Sequence, residues 1–469
     1  MGRFVNFILC FVVVLAFFTE VEAQTNTTTK NRTWSWTAAE SKKQVGKGES
    51  DTLAKAVAVE PTEKGEKQFD EDWRFRVGGY GEMLFQHFRY GPNSMLSEGS
   101  TEDKRSEISI PRFVIAMDFK FTPTWVLSSE IEFEYGGTGS ALEFEYEEES
   151  GEYELEIEKG GEVALEQFHI TKNFAKWMNL RFGHMIVPVG LTNAHHEPIY
   201  FFGTVRPEGE SSIIPCTWHE NGISLFGTVG KFDYTAMLVN GLDPNFFSQK
   251  NFIKGGRQTA FEKTQMTNPA IVGRLDFNGL ENTRLGVSGY YGWKTTGNCS
   301  RKEKFDHLDV PVSIISADAQ FNNGKFIARS NFLWGRIGES AELFAKNISM
   351  PKIGKFSVFP RTPSGENAMD WYVEFGYNVT SLFTDKVNIF PFARYEYYNP
   401  QQKTIGLRET RYKKEVMMFG FNYFVLPNLV VKGDFSRRIV YGGKYNSENT
   451  YSLGVGYMAW YAVRDRRNR

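Results

Sequence analysis

The feature that most constrains this sequence is a strict alternation of apolar and charged side chains between residues 112 and 137. From Phe113 to Phe121 the bulky apolar residues occupy odd-numbered positions, and they do so again after the Thr-Pro-Thr turn at 122–124. After this turn, the intervening even positions include Glu130, Glu132 and Glu134. Since successive side chains of a β-strand point to opposite faces, the pattern predicts a hairpin with one apolar face and one charged face.

The same alternation begins at Trp73 and continues through most of the remaining chain. Turn residues separate the alternating stretches, which predicts a series of β-strands joined by turns and loops. The sixteen predicted strands lie near 73–89, 109–122, 125–136, 163–172, 177–187, 219–229, 231–241, 268–278, 283–294, 310–321, 324–337, 368–381, 386–398, 412–425, 427–439 and 449–463. An even number of strands allows the first and the last to start and finish on the same side of a barrel.

The connections between these strands alternate in length. The short ones are 122–124, 173–176, Gly230, 279–282, 322–323, 382–385 and Pro427, whereas the long ones are 90–108, 137–162, 188–218, 242–267, 295–309, 338–367, 399–411 and 440–448. Short periplasmic turns and longer extracellular loops are typical of outer-membrane barrels. In hydrocarbon every backbone polar group needs a partner within the protein, so only helices and closed barrels can span. The sequence therefore predicts an all-β fold, a transmembrane antiparallel β-barrel of about sixteen strands.

The composition agrees with such a barrel. The mean hydropathy is −0.39, and no apolar run reaches the roughly eighteen residues that a spanning helix needs. The 41 Phe and 21 Tyr suit the aromatic girdles of a membrane barrel. The alternative, a large secreted all-β protein such as a multi-sandwich adhesin, explains neither the sorting of loop lengths nor the absence of a domain boundary after residue 72.

The N-terminus predicts export. Arg3 precedes an apolar stretch from Phe7 to Phe18, and Val21-Glu22-Ala23 forms a cleavage site, so residues 1–23 are predicted to be a signal peptide. Residues 24–72 are predicted to be a flexible N-terminal periplasmic segment, and residues 73–469 the barrel. The expected location is the outer membrane of a Gram-negative bacterium, in contact with its lipid and lipopolysaccharide. Of the cysteines in the mature chain, Cys216 and Cys299 could form a disulfide or remain two thiols.

Two charge patterns point in opposite directions. Arginines alternate with apolar residues on several strands, at Arg112, Arg181, Arg274, Arg329 and Arg394. Facing the lumen, they would form a basic ladder that attracts anions, or they would pair with acidic neighbours and stiffen the wall. Residues 130–166 instead hold fourteen Glu and one Lys. This segment predicts a strand pair around Ser150-Gly151 that either steers cations and divalent ions or forms a solvated acidic loop. Anion or cation preference stays open.

The long connection 188–218 collects polar and titratable residues. Its candidate constriction residues are His195, His196, Glu197, Arg206 and Glu208. The spacing matches no zinc pattern, so we expect a loop folded into the lumen, and neither a metal nor a cofactor. The catalytic signatures of hydrolases, metalloproteases and nucleotide-binding enzymes do not occur, which predicts a protein that is not an enzyme. Basic patches with stacking aromatics are not concentrated anywhere, so nucleic acid is not an expected partner.

Three stretches carry a family resemblance. The run "LRFGHMIVPVGLTNAHHEP" (180–198), together with "VALEQFHITKNF" and "RPEGE…TWHENGISLFG", resembles phosphate-selective porin O/P-like outer-membrane proteins, in which an Arg-x-Gly strand leads into a Pro-x-Gly turn. Arg181, Gly183, Pro188 and Gly190 match that element. The resemblance implies a sixteen-stranded porin, often a homotrimer, with its third loop in the lumen and substrates crossing by diffusion. The chain departs from the pattern in having no lysine-rich cluster and in its acidic segment.

Together these features predict a porin whose water-filled channel allows passive or weakly selective diffusion of small hydrophilic solutes or ions, with anions such as phosphate among the candidates. The alternative is an outer-membrane binding, adhesion or substrate-specific uptake barrel without general pore activity. A barrel enzyme such as a lipid hydrolase is a third hypothesis, and it requires a nucleophile beside a base at the barrel rim.

Overall fold

The computed structural model describes residues 73–91, 98–136, 145–146, 153–154, 161–258, 263–299, 305, 307–350, 362–384, 387–406 and 408–465. The predicted signal peptide 1–23, the predicted periplasmic segment 24–72 and most of the acidic connection lie outside these residues. The described strands form a closed barrel of sixteen antiparallel strands. The predicted all-β barrel and its strand number are confirmed.

The strands in chain order are β1 (Trp73–Arg89), β2 (Lys104–Thr122), β3 (Trp125–Glu134), β4 (Glu145–Tyr146), β5 (Tyr153–Glu154), β6 (Val163–Ala175), β7 (Met178–Ile186), β8 (His219–Val229), β9 (Phe232–Val239), β10 (Ala270–Leu280), β11 (Thr283–Gly292), β12 (Val312–Asn322), β13 (Phe326–Ile337), β14 (Asn367–Tyr377), β15 (Asn388–Lys403), β16 (Lys414–Leu426), β17 (Leu429–Val440) and β18 (Ser447–Asp465). Strand β1 pairs with both β2 and β18, which closes the barrel. Strands β4 and β5 pair only with each other, as the acidic segment predicted.

The sorting of connections is confirmed for most of the barrel; the exception is that residues 378–387, predicted to contain a short turn, form a longer connection than residues 441–446. Two-residue turns join β2 to β3, β6 to β7, β8 to β9, β10 to β11 and β16 to β17. Gly230 and Asn282, in two of these turns, have φ values of 62° and 55°, which tight turns require. The largest boundary difference is at β2 and β15, which extend about five residues further than predicted. Their ladders continue without apolar alternation because backbone pairing needs no apolar side chain; Arg89 pairs with Lys104, for example.

The outer face of the barrel is apolar. On β14 the side chains of Trp371, Val373 and Phe375 point outward, whereas Asp370 and Glu374 on the alternate positions are fully buried. Exposed outward residues recur around the barrel, such as Ile315, Phe419 and Leu453, each more than half exposed. Large exposed apolar side chains that recur around the barrel mark a surface that contacts lipid or protein rather than water.

The interior holds an apolar core that the alternation did not predict. Side chains from long connections, among them Trp218, Phe247, Phe252 and Leu343, pack against inward-facing wall residues. The wall residues include Val272, Ile314, Leu333 and Val416. Among the described residues of these connections are two α-helices, α1 (Glu208–Ile213) and α2 (Ser340–Ser349). Among the described residues, no helix has the length and apolar character needed to cross a membrane.

Candidate channel constriction

The connection from residue 187 to residue 218, called the lumen loop below, crosses the inside of the barrel. At one side, the backbone N–H of Thr204 donates to Asp434 Oδ2 of β17 at 2.6 Å, and Lys432 Nζ donates to the carbonyl oxygen of Phe201 at 3.0 Å. At other sides, Arg112 of β2 donates to the carbonyl of His196 at 2.9 Å. Arg274 of β10 donates to the carbonyl of Gly190 at 3.0 Å. These strands belong to separate sectors of the barrel, so the loop is held across the lumen.

Glu210 holds the first turn of the lumen loop. Its carboxylate accepts hydrogen bonds from the backbone N–H groups of Leu191 (3.0 Å), Thr192 (3.2 Å) and Asn193 (2.5 Å), and from Asn331 Nδ2 of β13 (3.0 Å). Burial raises the pKa of this carboxyl, and the N–H groups oppose that rise by stabilising the anion. Gly190 has φ 84°, and a Cβ there would lie 2.5 Å from the carboxylate. The role of Glu210 was not predicted, because no local spacing links it to residues 191–193.

Helix α1 is fastened to the wall by Glu208. Arg438 of β17 donates from Nε to Glu208 Oε2 at 2.8 Å and from Nη2 to Oε1 at 2.7 Å, and the hydroxyl of Tyr398 donates to Oε2 at 2.8 Å. Burial by itself would raise the pKa of Glu208, but the Arg438 charge and its hydrogen bonds lower it to about 2. Glu208, which the sequence predicted as a constriction residue, anchors helix α1 to the wall, and its charge is matched by Arg438.

The two histidines of the lumen loop are neutral hydrogen-bonding groups. His196 Nε2 lies 2.9 Å from the Tyr80 hydroxyl, and His195 Nε2 lies 3.2 Å from Arg284 Nη1. Burial lowers the pKa of both histidines well below the usual range, and nearby arginines lower it further. Neither side chain therefore supplies a positive charge for an anion. Within the described part of the chain, no group of three His, Cys, Asp or Glu side chains is arranged to hold a metal ion.

Arg206 contacts the end of the lumen loop. Its guanidinium donates to Thr217 Oγ1 at 3.1 and 3.2 Å and to Cys216 Sγ at 2.6 Å. Cys216 and Cys299 are not joined by a disulfide, and Cys299 Sγ donates to Asp243 Oδ1 at 3.0 Å. The question left open by the sequence is therefore answered in favour of two thiols.

The five predicted ladder arginines all point into the barrel, but four of them form salt bridges with wall carboxylates. Arg112 lies 3.0 Å from Glu82, and Arg181 lies over the Phe226 ring with 4.8 Å between guanidinium carbon and ring centre. The remaining ion pairs are Arg274 with Asp276 (2.7 Å) and Asp318 (2.9 Å), Arg329 with Glu374 (2.7 Å), and Arg394 with Glu374 (2.9 Å) and Glu396 (3.4 Å). This pairing favours a wall-stiffening role over a ladder that is open to anions.

Another part of the barrel, around β3 and β6, carries carboxylates that form no salt bridges with the described arginines. We call Glu130, Glu132, Glu166 and Glu197 the carboxylate cluster. The first two lie on the inward face of β3, and a β-bulge opposite Glu130 and Ile131 brings Glu166 of β6 beside them. Glu197 of the lumen loop is close enough to Glu130 for their charges to interact. Among the described residues, no cation forms a salt bridge with any of the four.

Comparisons with known proteins show distant similarity. No family model matches this chain. An uncharacterized protein of Aquifex aeolicus (strain VF5) is 27% identical over 380 residues, which cover 77% of this chain and 75% of that protein.

Similar solved structures are each 10% identical to this chain. They include OmpF of Salmonella typhi in complex with daunomycin (TM-score 0.49, covering 83% of this chain and 99% of that one). The outer membrane channel DcaP of Acinetobacter baumannii (0.48, 82% and 97%) and an anion-selective porin from Comamonas acidovorans (0.47, 82% and 99%) are also similar. The closed barrel of this chain is established by its own strand pairing, independently of these proteins.

Proposed function

We propose that this protein is an outer-membrane porin of a Gram-negative bacterium, whose lumen provides a water-filled route for the passive diffusion of small hydrophilic solutes or ions. The proposal rests on how apolar and polar side chains are distributed between the outer and inner faces of the barrel. Large apolar side chains cover the outside, whereas many inward positions of the same strands carry carboxylates, guanidiniums and amides beside the interior apolar core. A sixteen-stranded barrel is wide enough to leave an aqueous channel.

Buried polar atoms support water in the lumen. The Tyr372 hydroxyl, Asn179 Oδ1, Asp434 Oδ1 and both side-chain polar atoms of Asn173 are buried without a hydrogen-bond partner among the described residues. A buried polar group without a partner costs about 1–3 kcal/mol, so such groups normally bind ordered water. Their positions on the inward faces of β6, β7, β14 and β17 are those that would contact lumen water.

The finer parts of the proposal come from the sequence resemblance. It suggests a homotrimer and includes phosphate among candidate solutes. The paired arginines and neutral histidines favour general diffusion over a dedicated phosphate path, since a path of that kind needs positive charges that are not already matched by carboxylates. Contact with lipopolysaccharide and outer-membrane lipid belongs to the same proposal.

Conductance measurements in lipid bilayers test the porin proposal. Purified, folded full-length protein in planar lipid bilayers should give stepwise currents that rise linearly with voltage. Folding is checked beforehand by the mobility difference between heated and unheated samples in detergent gels. Folded protein that inserts into the bilayer without producing conductance would contradict the porin proposal.

A second candidate function is favoured by the apolar core inside the barrel. Trp218, Phe252 and Leu343 bring three long connections together in the interior, and a lumen filled in this way would suit a binding or substrate-specific uptake barrel. Under that alternative, the same bilayer experiment gives no current, while a soluble ligand raises the temperature at which the barrel unfolds.

A further inference from the structure

We propose that the channel prefers cations over anions, and that the carboxylate cluster sets this preference. The inference rests on the proposed porin function and names its solute class. Its basis is an imbalance within the wall. Among the described residues, arginines form salt bridges with most of the carboxylates in two parts of the wall, but with none of the four in the carboxylate cluster.

The matched sectors are close to neutral. Arg274 and Arg284 face Asp276 and Asp318, with nitrogen-to-oxygen distances from 2.7 to 3.7 Å. In the next sector Arg329 and Arg394 face Glu374 and Glu396, with distances from 2.7 to 3.4 Å. Each set of ion pairs holds two positive and two negative charges, and Asp370 of β14 adds one buried carboxylate near Glu396 that has no hydrogen-bond partner among the described residues. At distances beyond a Debye length of about 8 Å these charges largely cancel, so neither sector attracts a mobile anion strongly.

The carboxylate cluster is compensated less completely. Glu130 accepts a hydrogen bond from Gln167 Nε2 at 2.6 Å, and Glu166 accepts one from the Tyr80 hydroxyl at 3.1 Å. Both donors are neutral. Arg112 and Arg206 are near enough for their charges to act on Glu132 and Glu197, but both also serve other groups: Arg112 pairs with Glu82 at 3.0 Å, and Arg206 donates to Thr217 and Cys216. The four carboxylates therefore outnumber the two arginines near them, and neither arginine forms a salt bridge with any of the four among the described residues.

A second observation points to a mobile ion. Glu132 is only 6% exposed, and its Oε1 has no hydrogen-bond partner among the described residues. Glu197 Oε2 is likewise buried without a partner in that part of the chain. An ionised carboxylate removed from water without a partner is costly, and a cation beside it offsets that cost. Both oxygens lie on the inner side of the barrel and have no hydrogen-bond partner among the described residues.

The expected ligand is a small hydrated cation such as K⁺. The described residues contain no three-ligand arrangement that would strip and hold a metal ion. A cation would therefore be concentrated near the cluster and released again, which conduction requires. A cleft lined by one sign of charge raises the local concentration of counter-ions by about tenfold or more.

The experiment measures reversal potentials of the full-length protein in planar bilayers under a KCl gradient. The wild type should show a K⁺ to Cl⁻ permeability ratio on the order of 10 at low salt. The triple variant E130Q/E132Q/E166Q should bring the ratio down to about 1, while retaining conductance. The control triple variant E98Q/E281Q/E342Q removes the same number of charges at exposed positions and should keep the wild-type ratio.

Each outcome decides between the two proposals. A conducting wild type that prefers Cl⁻, or a triple variant with an unchanged ratio, would overturn the cation proposal and leave the porin proposal standing. A folded wild type without conductance would overturn both. If the triple variant does not fold, the single variants E132Q and E197Q replace it. Each should then lower the ratio, and an unchanged ratio in both would overturn the inference.

Discussion

The carboxylate of Glu210 accepts four hydrogen bonds and is 1% exposed, so a single side chain organises the first turn of the lumen loop. Replacing Glu210 by Ala leaves three buried backbone N–H groups without their acceptor. We expect the barrel to lose about 3 kcal/mol of stability, and the open channel to become noisier as the loop moves. Urea unfolding in lipid vesicles and single-channel recording measure the two effects. Glu342→Ala on the exposed face of α2 is the control, and equal effects from both variants would contradict the assignment.

The Arg274–Asp318 pair tests whether the wall arginines act as partners or as free charges. Arg274→Met leaves two carboxylates facing Arg284 alone, so we expect a loss of about 3–5 kcal/mol. Adding Asp318→Asn leaves Arg284 and Asp276, which lie 3.7 Å apart, and restores the charge balance. The double variant should therefore be more stable than Arg274→Met, as measured by urea unfolding.

A double-variant cycle quantifies this coupling. If adding Asp318→Asn to Arg274→Met lowers stability further, Arg274 acts independently of Asp318. That result would favour the hypothesis that the wall arginines form a ladder that attracts anions. The cycle also needs the single variant Asp318→Asn as its fourth corner.

At the scale of elements, helix α1 and the lumen loop are fastened by the Glu208–Arg438 pair, which gives the loop a pH dependence. The folded-state pKa of Glu208 is lowered to about 2, below the ordinary value of about 4.3. A lowered acid pKa contributes stability that is present above the unfolded-state value and is lost as the pH falls towards the folded-state value. The fluctuation of the open-channel current, which we call channel noise, should therefore be unchanged between pH 7 and pH 5. It should rise near pH 3.

Glu208→Gln is the matched control for this titration. The amide keeps the size of the side chain but has no charge for Arg438, so this variant should be noisy at neutral pH and change little at pH 3. Wild-type noise that rises between pH 7 and pH 5 would show that another group controls the loop.

At the scale of the whole molecule, the outward face should behave as a lipid contact. Ile315 on β12 is 57% exposed and points away from the lumen. Ile315→Arg places a charge in the apolar band and should cost about 2–4 kcal/mol of folding into a bilayer. Glu281→Arg in the β10–β11 turn is the control and should fold normally. The fraction of protein that folds into vesicles measures both, and full folding of Ile315→Arg would contradict the lipid-facing assignment.

The strands were predictable from the sequence because burial on one face imposes a period of two on each of them. The hairpin from Arg112 to Glu134 illustrates this, since Phe113 pairs with Phe133 and Ile115 with Ile131, as the odd-numbered apolar positions predicted. The candidate site was predictable only in part. The constriction residues named from the sequence, Glu197 among them, remain a prediction, and neither the role of Glu210 nor the grouping of Glu197 with Glu130, Glu132 and Glu166 was expected. Glu166 enters the cluster through a β-bulge, and a bulge leaves no signal in a simple alternation.

The sequence by itself determined the strands, their number and the sorting of their connections, because these follow from local side-chain periodicity and from the need to satisfy every backbone group. Only the tertiary structure decided which charges are matched. Glu208 pairs with Arg438 across 230 residues of chain, whereas Glu132 Oε1 has no hydrogen-bond partner among the described residues. Barrel closure and the path of the lumen loop set these distances, and neither is encoded in the spacing of neighbouring residues.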